Sequence, residues 1–323
     1  MKNIAFQTNS LNERGTSVAV YDYAFYCREY LNLNPLILYD LNAQNIQESV
    51  YRFKKQFEVI GYHSLENIQS IIDSKNIDYF YAIKYGNKDN VEVKNCKNLI
   101  HSVFCTDLSQ IHGDVYAVVS EWMSKKANYQ IPFIPHMINL PSSDQDFREF
   151  LNIPKNDIVI GRYGAKETFN IDFTTNSILK ALERRKDIWF LFLNTDKKIH
   201  HDRCLYFNTV VDLDEKVKFI NTCDAMLHAR DYGETFGLSV LEFASKNKQI
   251  ISYDNEEMQI NHPLGGRNHF LFLKNNCFKY HNEMTLDKIL LNINKNNPFN
   301  TEYLNHEFSP KSVIRKFDEI FIR

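Results

Sequence analysis

Two glutamates eight residues apart, Glu234 and Glu242, bracket the segment TFGLSVL, and glycines stand at 233 and 237. A short apolar run, Ala225–His228, reads as a strand feeding an irregular glycine-containing segment, and an apolar-periodic helix opens near Phe236. A strand, a glycine turn and a helix N-terminus together favour a phosphate, because terminal N–H groups and the positive end of the helix macrodipole both attract an anion. The carboxylates cannot serve that same anion, since like charges repel; they suit hydroxyl groups on either side of it. The pattern points to a pocket for a sugar, a diphosphate and a ribose. The plainer reading is two surface glutamates on an amphipathic helix, because glutamate is common there.

Two βα series must position this segment. In the first, Asn3–Thr8 reads as a strand, Ser17–Tyr30 as a helix after a turn at Gly15, and Pro35–Tyr39 and Phe57–Tyr62 as strands, with a helix from about Ser64. Tyr79–Ile83, Leu99–Phe104 and Val115–Val119 are further short apolar runs. Residues 134–147, rich in Pro, Ser and Asp, suit a linker. The second series has strands at Asp157–Arg162, Ile188–Asn194, Ala225–His228, Gln249–Tyr253 and Phe270–Leu273, a helix at Phe173–Glu183 and a short helix or turn at Lys216–Asn221. Such alternation predicts an α/β fold with parallel sheets, which bind ligands at the carboxyl ends of their strands. At the end of the chain Ser309 is a helix N-cap and Pro310 the first helical residue. Val313, Ile314, Phe317, Ile320 and Phe321 then recur at helical spacing, so one face is buried. A basic membrane-surface helix is the competing reading, but Asp318 and Glu319 dilute its charge.

The 323 residues are more than one core usually needs and fit two domains. A formal net charge of −2 offers no general attraction to nucleic acid or to anionic membranes, and no apolar run approaches the ~20 residues of a membrane span. The polar start, MKNIAFQTNSLNERG, does not read as a signal peptide, so a cytoplasmic location is expected. Six scattered cysteines form no C-x-x-C pair, which argues for neither a zinc site nor a redox motif. The string Asp212-Leu213-Asp214 reads as a charged turn, not as a metal-binding carboxylate pair.

The segment CDAMLHARDYGETFGLSVLEFAS, residues 223–245, resembles the E-x7-E region of family-four glycosyltransferases, through Glu234, Phe236, Gly237, Leu238, Glu242 and Ala244. GDVYAVVSEWMSKK (113–126), PFIPHMINLP (132–141) and REFLNIPKNDIVIGRYG (148–164) resemble further landmarks of that family in the same order, and the last sixteen residues resemble its returning helix. The resemblance implies the GT-B architecture: two Rossmann-like domains facing a cleft, with residues 1–140 as the acceptor domain, 141–308 as the nucleotide-sugar domain and the helix at 309–323 crossing back.

The same resemblance implies residue roles. Arg162 would grip the diphosphate with its fork of donors, with Lys166 as partner cation. Glu242 would accept from the ribose diol and Glu234 would face the donor sugar. The N–H groups of Phe236, Gly237 and Leu238 would meet phosphate or sugar, with Arg230 and His228 just upstream. In the first domain Gly15 and Thr16 would supply a close backbone approach and a hydroxyl. The chain departs from the family pattern in having one glycine at that turn, Lys166 closer to Arg162 than usual, and Lys84-Tyr85-Gly86 where relatives place a histidine; His101 on the next strand is a substitute or a packed strand residue. The implied activity is transfer of a sugar from a UDP- or GDP-linked donor to a glycan or other hydroxyl acceptor, with retention and without a metal or other cofactor. A nucleotide-sugar epimerase and a non-catalytic sugar- or nucleotide-binding protein of the same architecture are the alternatives. No nucleic-acid partner and no transmembrane segment are expected, and peripheral membrane contact stays open.

Overall fold

The computed structural model describes residues 1–89 and 91–323. They form two compact units, Met1–Asn139 with Glu307–Arg323, and Leu140–His306. In the first unit the strands are β1 (Lys2–Thr8), β2 (Leu33–Asp40), β3 (Glu58–Tyr62), β4 (Tyr79–Lys84), β5 (Lys97–Ser102) and β6 (Val115–Val118). They pair in parallel in the order β3-β2-β1-β4-β5-β6. β1 and β4 are neighbours, so the strand order reverses between them, and open α/β sheets bind ligands beyond the carboxyl ends at such a reversal. The helix Gly15–Leu31 starts there, directly after β1.

Central strands covered on both faces need continuous apolar runs rather than alternation. β4, YFYAIK, is buried at every position, and Ile4, Phe6, Tyr23 and Tyr81 join one cluster with Val313, Ile314, Phe317 and Phe321. The C-terminal segment thus spends its apolar face on the first unit's core, which removes the membrane-surface reading of that face. Ser309 accepts from the Ser312 N–H and Pro310 opens the helix Pro310–Phe317, which continues as one wider turn over Asp318–Ile322.

The second unit holds β7 (Ile158–Tyr163), β8 (Ile188–Leu193), β9 (Cys204–Phe207), β10 (Ala225–His228), the two-residue β11 (Gly233–Glu234), β12 (Gln249–Tyr253), the two-residue β13 (Gly266–Arg267) and β14 (Phe278–Tyr280). The parallel order of the main sheet is β14-β12-β10-β7-β8-β9, while β11 pairs only with β13. Here the reversal falls between β7 and β10, which places the carboxyl ends carrying Arg162 and His228 side by side. Phe270–Leu273 is part of a helix, Asn268–Leu273, and not a strand. Asp212 is not in a loop either: it caps the helix Leu213–Thr222, its carboxylate accepting from the Glu215 N–H at 3.0 Å. Among the described residues no helix is long and apolar enough to cross a membrane.

Candidate functional site

The chain leaves β10 at His228 and turns through two glycines that the backbone requires. Gly233 has φ +64°, and a Cβ there would lie 2.2 Å from the Gly266 carbonyl oxygen. Gly237 has φ +93° and is the N-cap of the helix Leu238–Ser245. The helix therefore opens two residues later than the apolar pattern predicts, and Phe236 turns its ring into the interior. No side chain caps this helix among the described residues, and its first turn carries no acidic residue, so its dipole end stays positive.

Glu234 sits at the entrance to that turn. Its Oε2 accepts from Arg230 Nη1 at 2.7 Å, and its Oε1 lies 3.1 Å from His228 Nε2. A carboxylate only accepts, so His228 Nε2 carries a proton on that side, while Nδ1 lies 3.1 Å from Ser252 Oγ. Burial pushes the Glu234 carboxyl up, but Arg230 and His228 outweigh it and leave it below the usual glutamate range. Glu234 is thus an ionised, oriented acceptor. Ser252, His228 and Glu234 have the connectivity of a nucleophilic triad, yet Ser252 is fully buried and no substrate carbonyl can reach it.

A neighbouring segment missed by the sequence reading, Gly265-Gly266-Arg267-Asn268-His269, props this turn from behind. Glu234 is paired with Arg267 across the β11–β13 bridge, and Asn268 Nδ2 donates to the Phe236 carbonyl at 3.0 Å. His269 is fully buried with its ring 5.0 Å from that of His228, and neither of its nitrogens meets a hydrogen-bond partner among the described residues. Burial, with His228, Arg267, Arg230 and Lys279 around it, holds it well below the usual histidine range and therefore neutral. The one sequence cue was a glycine pair before a polar triplet; only the tertiary fold brings it to Glu234.

Arg162 is the last residue but one of β7, and its fork is engaged by protein acceptors. The side chain is buried, and Nη1 donates to the Asn194 carbonyl at 3.2 Å and to Thr195 Oγ1, while Nη2 donates to the Ala165 carbonyl and to Thr168 Oγ1, both at 2.7 Å. Four of the five N–H directions of a guanidinium end on protein acceptors. Burial pulls it down to about 10 against the opposing influence of Glu234, Glu167 and Asp196, so it stays charged at neutral pH. Lys166 lies on the loop that Arg162 holds. Its side chain is 61% exposed, and its ammonium faces Asp196 across a loose 3.8 Å.

Glu242 is buried within the helix Leu238–Ser245, and Lys216 Nζ donates to its Oε1 at 3.1 Å. Lys216 was not singled out from sequence. The available signal was a lysine on the apolar stripe of Leu213–Thr222, beside Val217 and Ile220. Arg230 packs its guanidinium over the Tyr232 ring at 4.5 Å.

In the first unit, Gly15 and Thr16 begin the helix after β1, with Arg14 as N-cap and no side-chain cap among the described residues. Gly15 does not adopt a left-handed conformation, so nothing in the backbone demands glycine there. His101 is a core residue: it is fully buried, Nδ1 meets the Tyr81 hydroxyl at 2.7 Å and Nε2 the Ile134 carbonyl at 3.0 Å, and burial lowers it to about 4. It cannot replace a ligand-facing histidine. Lys84 is spent on Asp89 at 2.6 Å, while Tyr85 is exposed.

No protein-family model matches this sequence, and no curated protein matches it. Solved structures do. A glycosyltransferase from Rickettsia africae is 17% identical with a TM-score of 0.71, covering 99% of this chain and 98% of its own. HepE from Anabaena, solved with UDP and glucose, is 12% identical with a TM-score of 0.72 over 99% of each chain. A putative UDP-N-acetylglucosamine 2-epimerase from Listeria monocytogenes is 10% identical with a TM-score of 0.60, over 99% of this chain and 97% of that one. With the two six-stranded parallel sheets, these likenesses establish the GT-B fold for this chain.

Proposed function

We propose that this protein is a nucleotide-sugar-dependent glycosyltransferase, akin to family four, that transfers a hexose-like sugar from a UDP- or GDP-linked donor to a hydroxyl acceptor with retention. The observation that carries this reading is Glu234, held ionised by Arg230 and His228 beside the uncapped N-terminus of Leu238–Ser245, at the strand-order reversal of the second sheet. An anion at a helix N-terminus next to a fixed carboxylate suits a sugar diphosphate: the helix end takes the phosphate and the carboxylate accepts from sugar hydroxyls. Glu242 is assigned to the ribose and Lys166 to the diphosphate. Fold likeness to a protein whose structure holds UDP and glucose supports the choice of donor class.

In the proposed reaction the bond between the anomeric carbon and the phosphate oxygen breaks, and negative charge develops on the diphosphate. Lys166 and the helix N–H groups stabilise that charge. The acceptor hydroxyl attacks the oxocarbenium-like carbon from the face the diphosphate leaves, and its proton passes to the departing phosphate oxygen. The products are a glycoside and a nucleoside diphosphate; the protein supplies no nucleophile and, in this reading, no metal.

The epimerase-like neighbour keeps one rival in view. Thermal-shift screening of UDP, GDP and their sugars comes first; a ligand at a hundred times its Kd adds about 2.7 kcal/mol of stability. Incubating the stabilising donor with acceptors then separates the readings. Release of nucleoside diphosphate with a new glycoside, unchanged by EDTA, is expected. An isomeric nucleotide-sugar would establish the epimerase instead, and stabilisation without turnover a binding protein.

A further inference from the structure

We propose that Arg162 is a positioning residue: it does not grip the diphosphate but shapes the loop that presents Lys166 to it. This rests on the donor site proposed above. The fork of Arg162 bridges the loops after β7 and β8, taking the Ala165 carbonyl and Thr168 Oγ1 on one side and the Asn194 carbonyl and Thr195 Oγ1 on the other. The clasp is closed by further bonds. Asn194 Nδ2 donates to the Gly164 carbonyl at 3.1 Å, and Thr168 Oγ1 donates to Ala165 at 2.7 Å. Gly164 makes room for it: a Cβ there would lie 3.3 Å from Arg162 Nη2 and 3.2 Å from Thr168 Oγ1.

Between these fixed points the chain makes one tight turn, Lys166–Thr168. Lys166 is the residue of this turn whose ammonium reaches solvent, and an exposed pairing with Asp196 at 3.8 Å is weak enough for a phosphate to replace it. For Arg162 to bind phosphate itself it would have to abandon several buried acceptors, each of which costs free energy when left unsatisfied. A lysine at 162 retains the charge but cannot span both loops.

The test uses Arg162→Lys, Thr168→Val, Lys166→Ala and the Arg162→Lys/Lys166→Ala double variant of the full chain. Amide exchange over residues 164–168 is read without ligand, and calorimetry gives affinities for UDP and GDP and for the phosphate-free uridine and guanosine. Arg162→Lys and Thr168→Val should both speed exchange and weaken the diphosphate about tenfold, leaving the nucleoside affinity unchanged; Lys166→Ala should give the same loss with native exchange. The double variant should be no weaker than either single one, because Arg162 acts through Lys166. Losses that multiply to roughly a hundredfold would overturn the proposal, as independent contacts add in free energy. So would a Thr168→Val variant with native affinity and exchange. If the wild-type protein binds neither UDP nor GDP, the functional reading fails, and the exchange arm alone then decides whether Arg162 holds the loop; native protection in Arg162→Lys refutes it.

Discussion

Replacing Lys216 by methionine keeps an unbranched side chain in place and deletes one charge of a buried pair. Lys216 Nζ lies 3.1 Å from Glu242 Oε1, and the two side chains are 11% and 5% exposed. At an exposed site such a pair contributes at most ~1 kcal/mol. Here only a small edge of the carboxylate left behind is open to water, so Lys216→Met should cost about 3–5 kcal/mol at neutral pH. Glu242 can recover part of that by taking up a proton. The deficit should therefore be largest at neutral pH and shrink in acid. Urea unfolding followed by Trp189 fluorescence in a Trp122→Phe background reads the second unit, since Trp189 lies on β8 and Trp122 in the first unit. The double variant Lys216→Met/Glu242→Leu should recover most of the loss, because replacing both charges by apolar groups leaves nothing uncompensated. A Lys216→Met protein within ~0.5 kcal/mol of the native one, with no pH dependence of the difference, would show that the pair behaves as a solvated one and refute the argument.

The two glutamates should separate by ligand. Glu242→Gln should weaken both the bare nucleoside diphosphate and the intact donor, whereas Glu234→Gln should spare the nucleoside diphosphate and slow donor turnover; equal loss of the bare nucleotide in both would cancel the division of labour. Acid should destabilise the fold in two windows. Burial lowers His101 to about 4 and His136 to about 3, so below about 6.5 the unfolded chain binds protons that the folded one refuses, and stability falls with pH. For His101 this amounts to about 3 kcal/mol by pH 4, at ~1.4 kcal/mol per pH unit. Glu234 acts in a lower window: its contribution is present above the ordinary glutamate value and is lost as pH falls through its depressed one. His101→Gln should flatten the decline between pH 6.5 and 4, and a profile parallel to that of the native protein would count against the assignment.

What the linear chain determined is what depends on local pattern. Parallel strands covered on both faces must be written as apolar runs, and β4, β8 and β10 are visible for that reason. Ser309 with Pro310 announces a helix start because cap chemistry is local, and Gly237 announces a turn because φ near +93° suits glycine. Asp212 followed by Glu215 carried the same kind of local signal for a helix start. Phe270–Leu273 was ambiguous in principle: a four-residue apolar run has no period long enough to tell strand from helix. The tertiary structure decided the partners. Nothing near Arg162 in sequence indicates that Asn194 and Thr195, more than thirty residues away, would occupy half of its fork. Nor does the chain show that Lys216 would lie against Glu242, or that Gly266 would press on Gly233 behind Glu234. Residue type states which bonds a side chain can make; which acceptors are near enough to take them is a property of the fold.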